Sequence, residues 1–180
     1  MATFRQLHKF GGSSLADPEC YLRVVNILRE YSSATDLVVV SAAGKTTNRL
    51  IEFVEALDKD GRIAHECLQT LRQFQLELIE ALLEGEPAEQ LTATIQQEFT
   101  ALGGLTAPLS EAQKAQVLGH GEVWSSRLLA ALLCQHDLQA VAQDARAFLR
   151  AEVGAQPEVD RARSYPLIKE TNLNIETFTP

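Results

Sequence analysis

Twice near its start the chain runs from a short apolar segment, through a loop of glycine, alanine and hydroxyl residues, into an amphipathic segment. The first run is QLHKFGGSSLADPECYLRVV, residues 6–25, and the second is DLVVVSAAGKTTNRL, residues 36–50. This order constrains the fold more than any other feature. Two strands that each feed a helix before the next strand begins cannot form a tight hairpin; they lie parallel, with a helix crossing over between them. The expected class is α/β, and ligands of such folds sit at the carboxyl ends of the strands.

Local signals place the elements. Residues 4–10 read as a first strand. Asp17 followed by Pro18 is an N-cap followed by a first-turn proline, with Glu19 complementing the positive helix end. Leu22, Val25, Ile27 and Leu28 then recur at helical spacing. Residues 37–40 form an unbroken, β-branched-rich run, the pattern of a buried parallel strand, and Leu50, Ile51, Phe53, Val54 and Leu57 predict the helix that follows. Residues 61–84 carry Ile63, Cys67, Leu68, Leu71, Phe74, Leu78, Ile79 and Leu82 on one broad face. Gly85 and Pro87 break that helix, and a second, residues 88–102, ends at Gly103 and Gly104. This helical pair reads as packing rather than as the cover of a site.

Ser110 and Gln113 form a capping box opening a helix to about Leu118. The step Gly119-His120-Gly121 kinks it before a strongly apolar continuation. Residues 138–142 are the expected third strand, parallel to the first two, with Asp144 and Arg146 just beyond. After Tyr165-Pro166 the chain turns polar, with no helical period; residues 169–180 read as a divergent tail and residues 1–168 as one catalytic part.

A chain of 180 residues, 46% of them hydrophobic, has room for one sizeable core rather than two. The formal net charge of −8 argues against nucleic acid as the main partner. Cys20, Cys67 and Cys134 are odd in number and far apart, as for reduced thiols in a cytoplasmic protein. The N-terminus lacks a signal-peptide pattern, and no stretch approaches the ~20 apolar residues of a membrane span.

The chemistry concentrates in three places. A Gly-Gly-Ser-Ser loop between strand and helix presents backbone N–H groups with no Cβ in the way, and Lys9 adds a mobile cation; a phosphate suits that geometry. Read by itself, the loop is better explained by an ordinary strand-to-helix turn with a surface lysine. Gly44-Lys45-Thr46 has the closing letters of a P-loop, but the full pattern needs glycine where Val39 stands. Glu122, in GHGEVWSSRLL, reads alone as first-turn helix charge, Ser41 as a strand end and Thr47 as an N-cap. His120 has no second His or Cys at ligand spacing, so no metal site is expected. Trp124 reads as a packing residue and Lys45 as solvated.

Taken together and in order, KFGGSS, VVVSAAGKTTN and GHGEVWSSRLL resemble the aspartokinase family of amino-acid kinases, closest to the kinase end of the bifunctional aspartokinase–homoserine dehydrogenases. The similarity covers residues 5–168. It implies a three-layer α/β/α sandwich with a mainly parallel sheet, and transfer of the γ-phosphoryl of ATP, carried with Mg²⁺, to the β-carboxylate of L-aspartate. The product, 4-phospho-L-aspartate, leads to lysine, methionine and threonine. By resemblance Lys9 is the catalytic cation on the transferring phosphoryl group. Phe10, Gly11, Gly12 and Ser13 bind phosphate beside it, while Ser41, Thr47 and Glu122 hold aspartate, Glu122 through its ammonium group. Phosphoryl transfer needs positioning and charge neutralisation above all, and the substrate carboxylate needs no strong base. The resemblance also implies a homo-oligomeric full-length parent.

The family pattern continues with an arginine-bearing strand end, a GRGGSD-like loop and adenine-binding segments, and nothing after Ile168 matches them. The expectation is therefore the N-terminal part of a kinase domain, weakly active or inactive by itself. Two alternatives stand beside it: a non-catalytic aspartokinase-like fragment, and a related kinase acting on another carboxylate.

Overall fold

A computed structural model describes residues 6–152 and 158–171. Two compact units divide the chain, Met1–Ala142 and Gln143–Pro180. In the first, β1 (Leu7–Phe10) and β2 (Leu37–Val40) pair in parallel, with Leu7 opposite Leu37 and Phe10 opposite Val40. Helix α1 (Pro18–Tyr31) makes the crossover. Asp17 caps it as expected, its carboxylate accepting from the Cys20 N–H at 2.8 Å.

The core face of α1 is Tyr21, Val24, Val25 and Leu28, a helical stripe whose burial contributes roughly 1.5–3 kcal/mol per large side chain. Leu22 and Ile27, expected on that face, are exposed instead. A run of apolar residues wider than one stripe leaves periodicity unable to choose the centre of the buried arc.

Only one side of the sheet enters the core. Phe10 is buried there, and Val38 and Val40 pack against the same cluster. On the other side Leu7 is 60% and Val39 49% exposed, so β2 is half-buried and not the fully buried strand its composition predicts. The expected third strand is absent: residues 138–142 carry no strand. Leu138 and Ala140 still pack against the core. Their backbone is engaged locally, the Leu138 N–H donating to Leu133 O at 2.9 Å and the Cys134 thiol to Ala140 O at 3.3 Å. An apolar run can be packed against a core without pairing, whereas a strand needs a ladder partner.

The helical layer is α2 (Thr46–Leu57), α3 (Gly61–Leu82), α4 (Gly85–Gly103), α5 (Glu111–Leu118) and α6 (His120–Gln135). Helix α4 begins at Gly85, earlier than expected. Gly85 takes φ +62°, and Pro87 falls in the first turn, where its missing N–H has no helical partner to lose. Ser110 and Gln113 make the capping box of α5. Gly119 ends α5 and starts α6, which touches β2 and helices α1 through α5. Trp124 of α6 is fully buried. It stacks on Phe99 at 4.7 Å between ring centroids, and its Nε1–H donates to Glu98 at 2.7 Å. Arg127 donates to the other Glu98 oxygen at 2.7 Å.

In the second unit, Ala151 and Val159 form an antiparallel bridge, and α7 (Arg161–Glu170) is capped by Asp160. Buried Ser164 accepts from the Arg150 N–H at 2.8 Å. Helix α7 continues through Pro166 to Glu170, so the residues just after Tyr165-Pro166 are helical although their sequence shows no helical period. Of the expected tail, Lys169 and Glu170 finish α7 and Thr171 caps it; the remainder, and Arg5 and Phe4 at the other end, lie outside the described residues. Among the described residues no helix is long and apolar enough to cross a membrane.

Candidate active site

Because β1 and β2 are parallel, the loops that follow them emerge at the same, carboxyl, end of the sheet. They are joined there backbone to backbone. The Ser41 N–H donates to Phe10 O at 3.0 Å, and the Gly44 N–H to Gly12 O at 3.1 Å. Gly12 must be glycine for this: a Cβ on it would lie 2.8 Å from the Ala42 carbonyl oxygen. Gly44 holds φ +53°, a left-handed conformation that lets the second loop turn back into α2.

Lys9 stands on the open face of β1, and its Nζ lies 3.4 Å from the point a Gly11 Cβ would occupy. The ammonium therefore leans over the first loop. Gly12 to Leu15 wind into a short 3-10 turn with Ser13 exposed on it. Phe10 differs from its neighbours in this group: its ring is buried and its carbonyl is taken by Ser41.

The third motif closes the group from α6. Gly121 packs onto the second loop so tightly that a Cβ would stand 2.6 Å from Ala42 Cβ and 3.1 Å from Thr46 Cγ2. That contact brings the next residue, exposed Glu122, to the loop, where its Oε1 accepts from the Ala42 N–H at 3.3 Å. Thr47 is half-buried in the first turn of α2, and Lys45 is exposed ahead of it. The first loop and the Glu122 carboxylate thus both contact the backbone of the second loop, at Gly44 and at Ala42.

His120 turns away from this chemistry: its Nδ1 meets the carbonyls of Gln116 at 2.8 Å and Val117 at 3.2 Å, and its ring tilts against Trp124. An open cleft of about 600 Å³, lined by Glu84, Gly85, Pro87, Ala131, Cys134 and Gln135, lies at the other end of α6 and contains none of these groups.

Periodicity missed three neighbours of the second loop: Thr46, Gln75 and the contact face of Gly121. Thr46 and Gln75 are fully buried polar residues, and the Gln75 Nε2 donates to Thr46 Oγ1 at 3.0 Å. A glutamine inside an apolar helical stripe was the available signal.

Two parallel strands whose carboxyl-end loops dock on one another and on a helix define an α/β fold, and the chain belongs to the amino acid kinase family, whose pattern matches residues 5–173. Among its relatives, bifunctional aspartokinase/homoserine dehydrogenase 2 of Escherichia coli (strain K12) is 51% identical over 167 residues, which are 92% of this chain and 21% of that protein. Lysine-sensitive aspartokinase 3 of the same organism is 30% identical over 143 residues, 79% of this chain and 31% of that protein. The solved structure of E. coli aspartokinase III in complex with aspartate and ADP superposes with a TM-score of 0.72 at 28% identity, covering 92% of this chain and 37% of that one. The chain thus spans between 21% and 37% of the length of these relatives.

Proposed function

We propose that this chain carries the phosphoryl-transfer lysine and the amino-acid pocket of an aspartokinase, which moves the γ-phosphoryl of ATP to the β-carboxylate of L-aspartate. Lys9 neutralises charge on the phosphoryl group, and the N–H groups of the Gly11-Gly12 loop, with Ser13, meet its oxygens. Mg²⁺ arrives with ATP as part of the substrate. Glu122 pairs with the substrate ammonium, and Ser41 and Thr47 line the pocket. The substrate carboxylate is the nucleophile, so the protein's task is alignment and electrostatics. Free Cys20, Cys67 and Cys134 accord with a reducing, cytoplasmic setting.

The observation that carries this reading is the docking of all three motifs on one loop, Gly12 to Gly44 and Glu122 to Ala42. Similarity to a solved aspartokinase bound to aspartate and ADP supports it. Calorimetric titration of the purified chain with L-aspartate, and separately with ATP·Mg²⁺, is the test, with a coupled assay for turnover. Binding of L-aspartate in preference to L-glutamate, abolished in Glu122→Ala and retained in Lys9→Ala, is expected. Equal binding of both amino acids, or none, would overturn the assignment.

A further inference from the structure

Helix α3 buries Ala64, Leu68, Leu71, Leu78, Ile79 and Leu82 along one face, and Gln75 occupies that face at 3% exposure. The stripe calls for leucine there. A buried amide is costly unless hydrogen-bonded, and this one donates to the first residue of α2, directly after the second loop: Thr46 Oγ1 at 3.0 Å. Thr46 is itself fully buried and is held from the opposite side, its Cγ2 pressed toward the Gly121 position of α6. Hydroxyl toward α3 and methyl toward α6 leave its side chain one orientation. The residue before Gln75 supports the same loop. Phe74 Cζ lies 3.7 Å from the Cβ position of Gly44, and the Arg49 guanidinium sits 5.4 Å over the Phe74 ring.

We propose that Gln75 is a positioning residue: through Thr46 it sets the start of α2, and with it the angle at which Thr47 and Ser41 are presented to the amino-acid substrate. The proposal rests on the aspartokinase reading for the identity of that substrate, but the mechanical claim does not. A buried hydrogen bond kept only for stability can be removed by replacing both partners with apolar groups of similar shape at little cost. A hydrogen bond kept to aim a loop cannot be replaced in that way.

The double variant Thr46→Val/Gln75→Leu separates the two. Its thermal midpoint should stay near that of the unaltered chain, while affinity for L-aspartate falls about tenfold, or ~1.4 kcal/mol, and affinity for ATP·Mg²⁺ is unchanged. Amide hydrogen exchange at Gly44 to Asn48 should accelerate in the same variant with the rest of α2 unaltered. Unchanged exchange across those residues, or equal losses for aspartate and ATP, would overturn the positioning role. If the unaltered chain binds no aspartate but exchange at the loop accelerates as expected, the substrate assignment fails and the positioning role stands. Should the double variant fail to fold, the single variant Gln75→Leu read by the same exchange measurement replaces it: faster exchange at Gly44 to Asn48 with the rest of α2 unaltered supports the positioning role, and unchanged exchange there overturns it.

Discussion

The carboxylate of Glu122 accepts the Ala42 N–H at 3.3 Å, across 80 residues of sequence. That bond ties the acid of α6 to the loop after β2 and leaves the second carboxylate oxygen without a hydrogen bond among the described residues. Glu122→Gln keeps an acceptor for Ala42 and loses the charge, so the fold should be retained while pairing with an ammonium is weakened. A charge-assisted hydrogen bond contributes about 1.5–3 kcal/mol, which corresponds to a loss of roughly ten- to a hundredfold in aspartate affinity. Calorimetry, with circular dichroism to show an unchanged fold, is the measurement.

The two close approaches around Ala42 should tolerate no added methyl group. At Gly12 a Cβ would meet a backbone oxygen at 2.8 Å, and at Gly121 it would meet Ala42 Cβ at 2.6 Å. Neither obstacle is the end of a flexible side chain. Gly12→Ala and Gly121→Ala should each destabilise by about 1–3 kcal/mol, read from urea unfolding. At Gly11 the nearest atom is the mobile Lys9 Nζ, 3.4 Å away, so Gly11→Ala should fold normally and lose phosphate-group affinity instead.

Asp36 holds the start of the sheet together and should govern the acid limb of stability. Its carboxyl lies well below the usual carboxylate range, chiefly because the Gln6 N–H donates to it, with the Ser33 N–H, the Ser33 hydroxyl and His8 adding to the effect. A depressed folded-state value means the unfolded chain takes up the proton first. The contribution is therefore complete above the unfolded value of about 3.9 and is lost as pH falls from there toward the folded one. Asp36→Asn should be less stable than the unaltered chain at pH 7, and the difference should shrink below about pH 4. Urea midpoints measured from pH 7 to pH 2.5 would show a constant difference if the reasoning is wrong.

Tyr21 acts at the other extreme. Burial pushes its phenol up to about 12, opposed by the neighbouring Ser125 hydroxyl. Neither hydroxyl finds a partner at hydrogen-bonding geometry among the described residues. Above about pH 10 the unfolded chain loses this proton while the folded one keeps it, so stability falls as pH rises between 10 and 12. Tyr21→Phe should cost little at pH 7, since it removes an unpartnered group, and should flatten that alkaline loss. Thermal midpoints at pH 7 and pH 10.5 are the check.

Much of this was legible because it is local. The Asp17-Pro18 cap, the Ser110–Gln113 capping box and the glycine loops follow from the conformational preferences of a few adjacent residues, and they appear where the sequence places them. The parallel pairing of β1 with β2 follows from chain order, because a helix lies between them. Three motifs in sequence also sufficed to indicate the family.

What the sequence could not contain is which groups lacking a periodic signature end up facing one another. Residues 138–142 read as a strand from their apolar composition, but in the structure the Leu138 N–H and the Ala140 carbonyl are taken up locally by Leu133 and Cys134, and the run pairs with no strand. The stretch around Tyr165-Pro166 shows no helical period in the sequence, yet Pro166 is carried inside α7. Gln75 reads as a polar interruption of α3 until folding places Thr46 against it, 29 residues away in the chain. Propensity and pattern are properties of neighbours along the chain and are set by the sequence itself. Strand pairing, close glycine contacts and buried hydrogen bonds depend on distant segments arriving at the same point, and only the tertiary structure decides that.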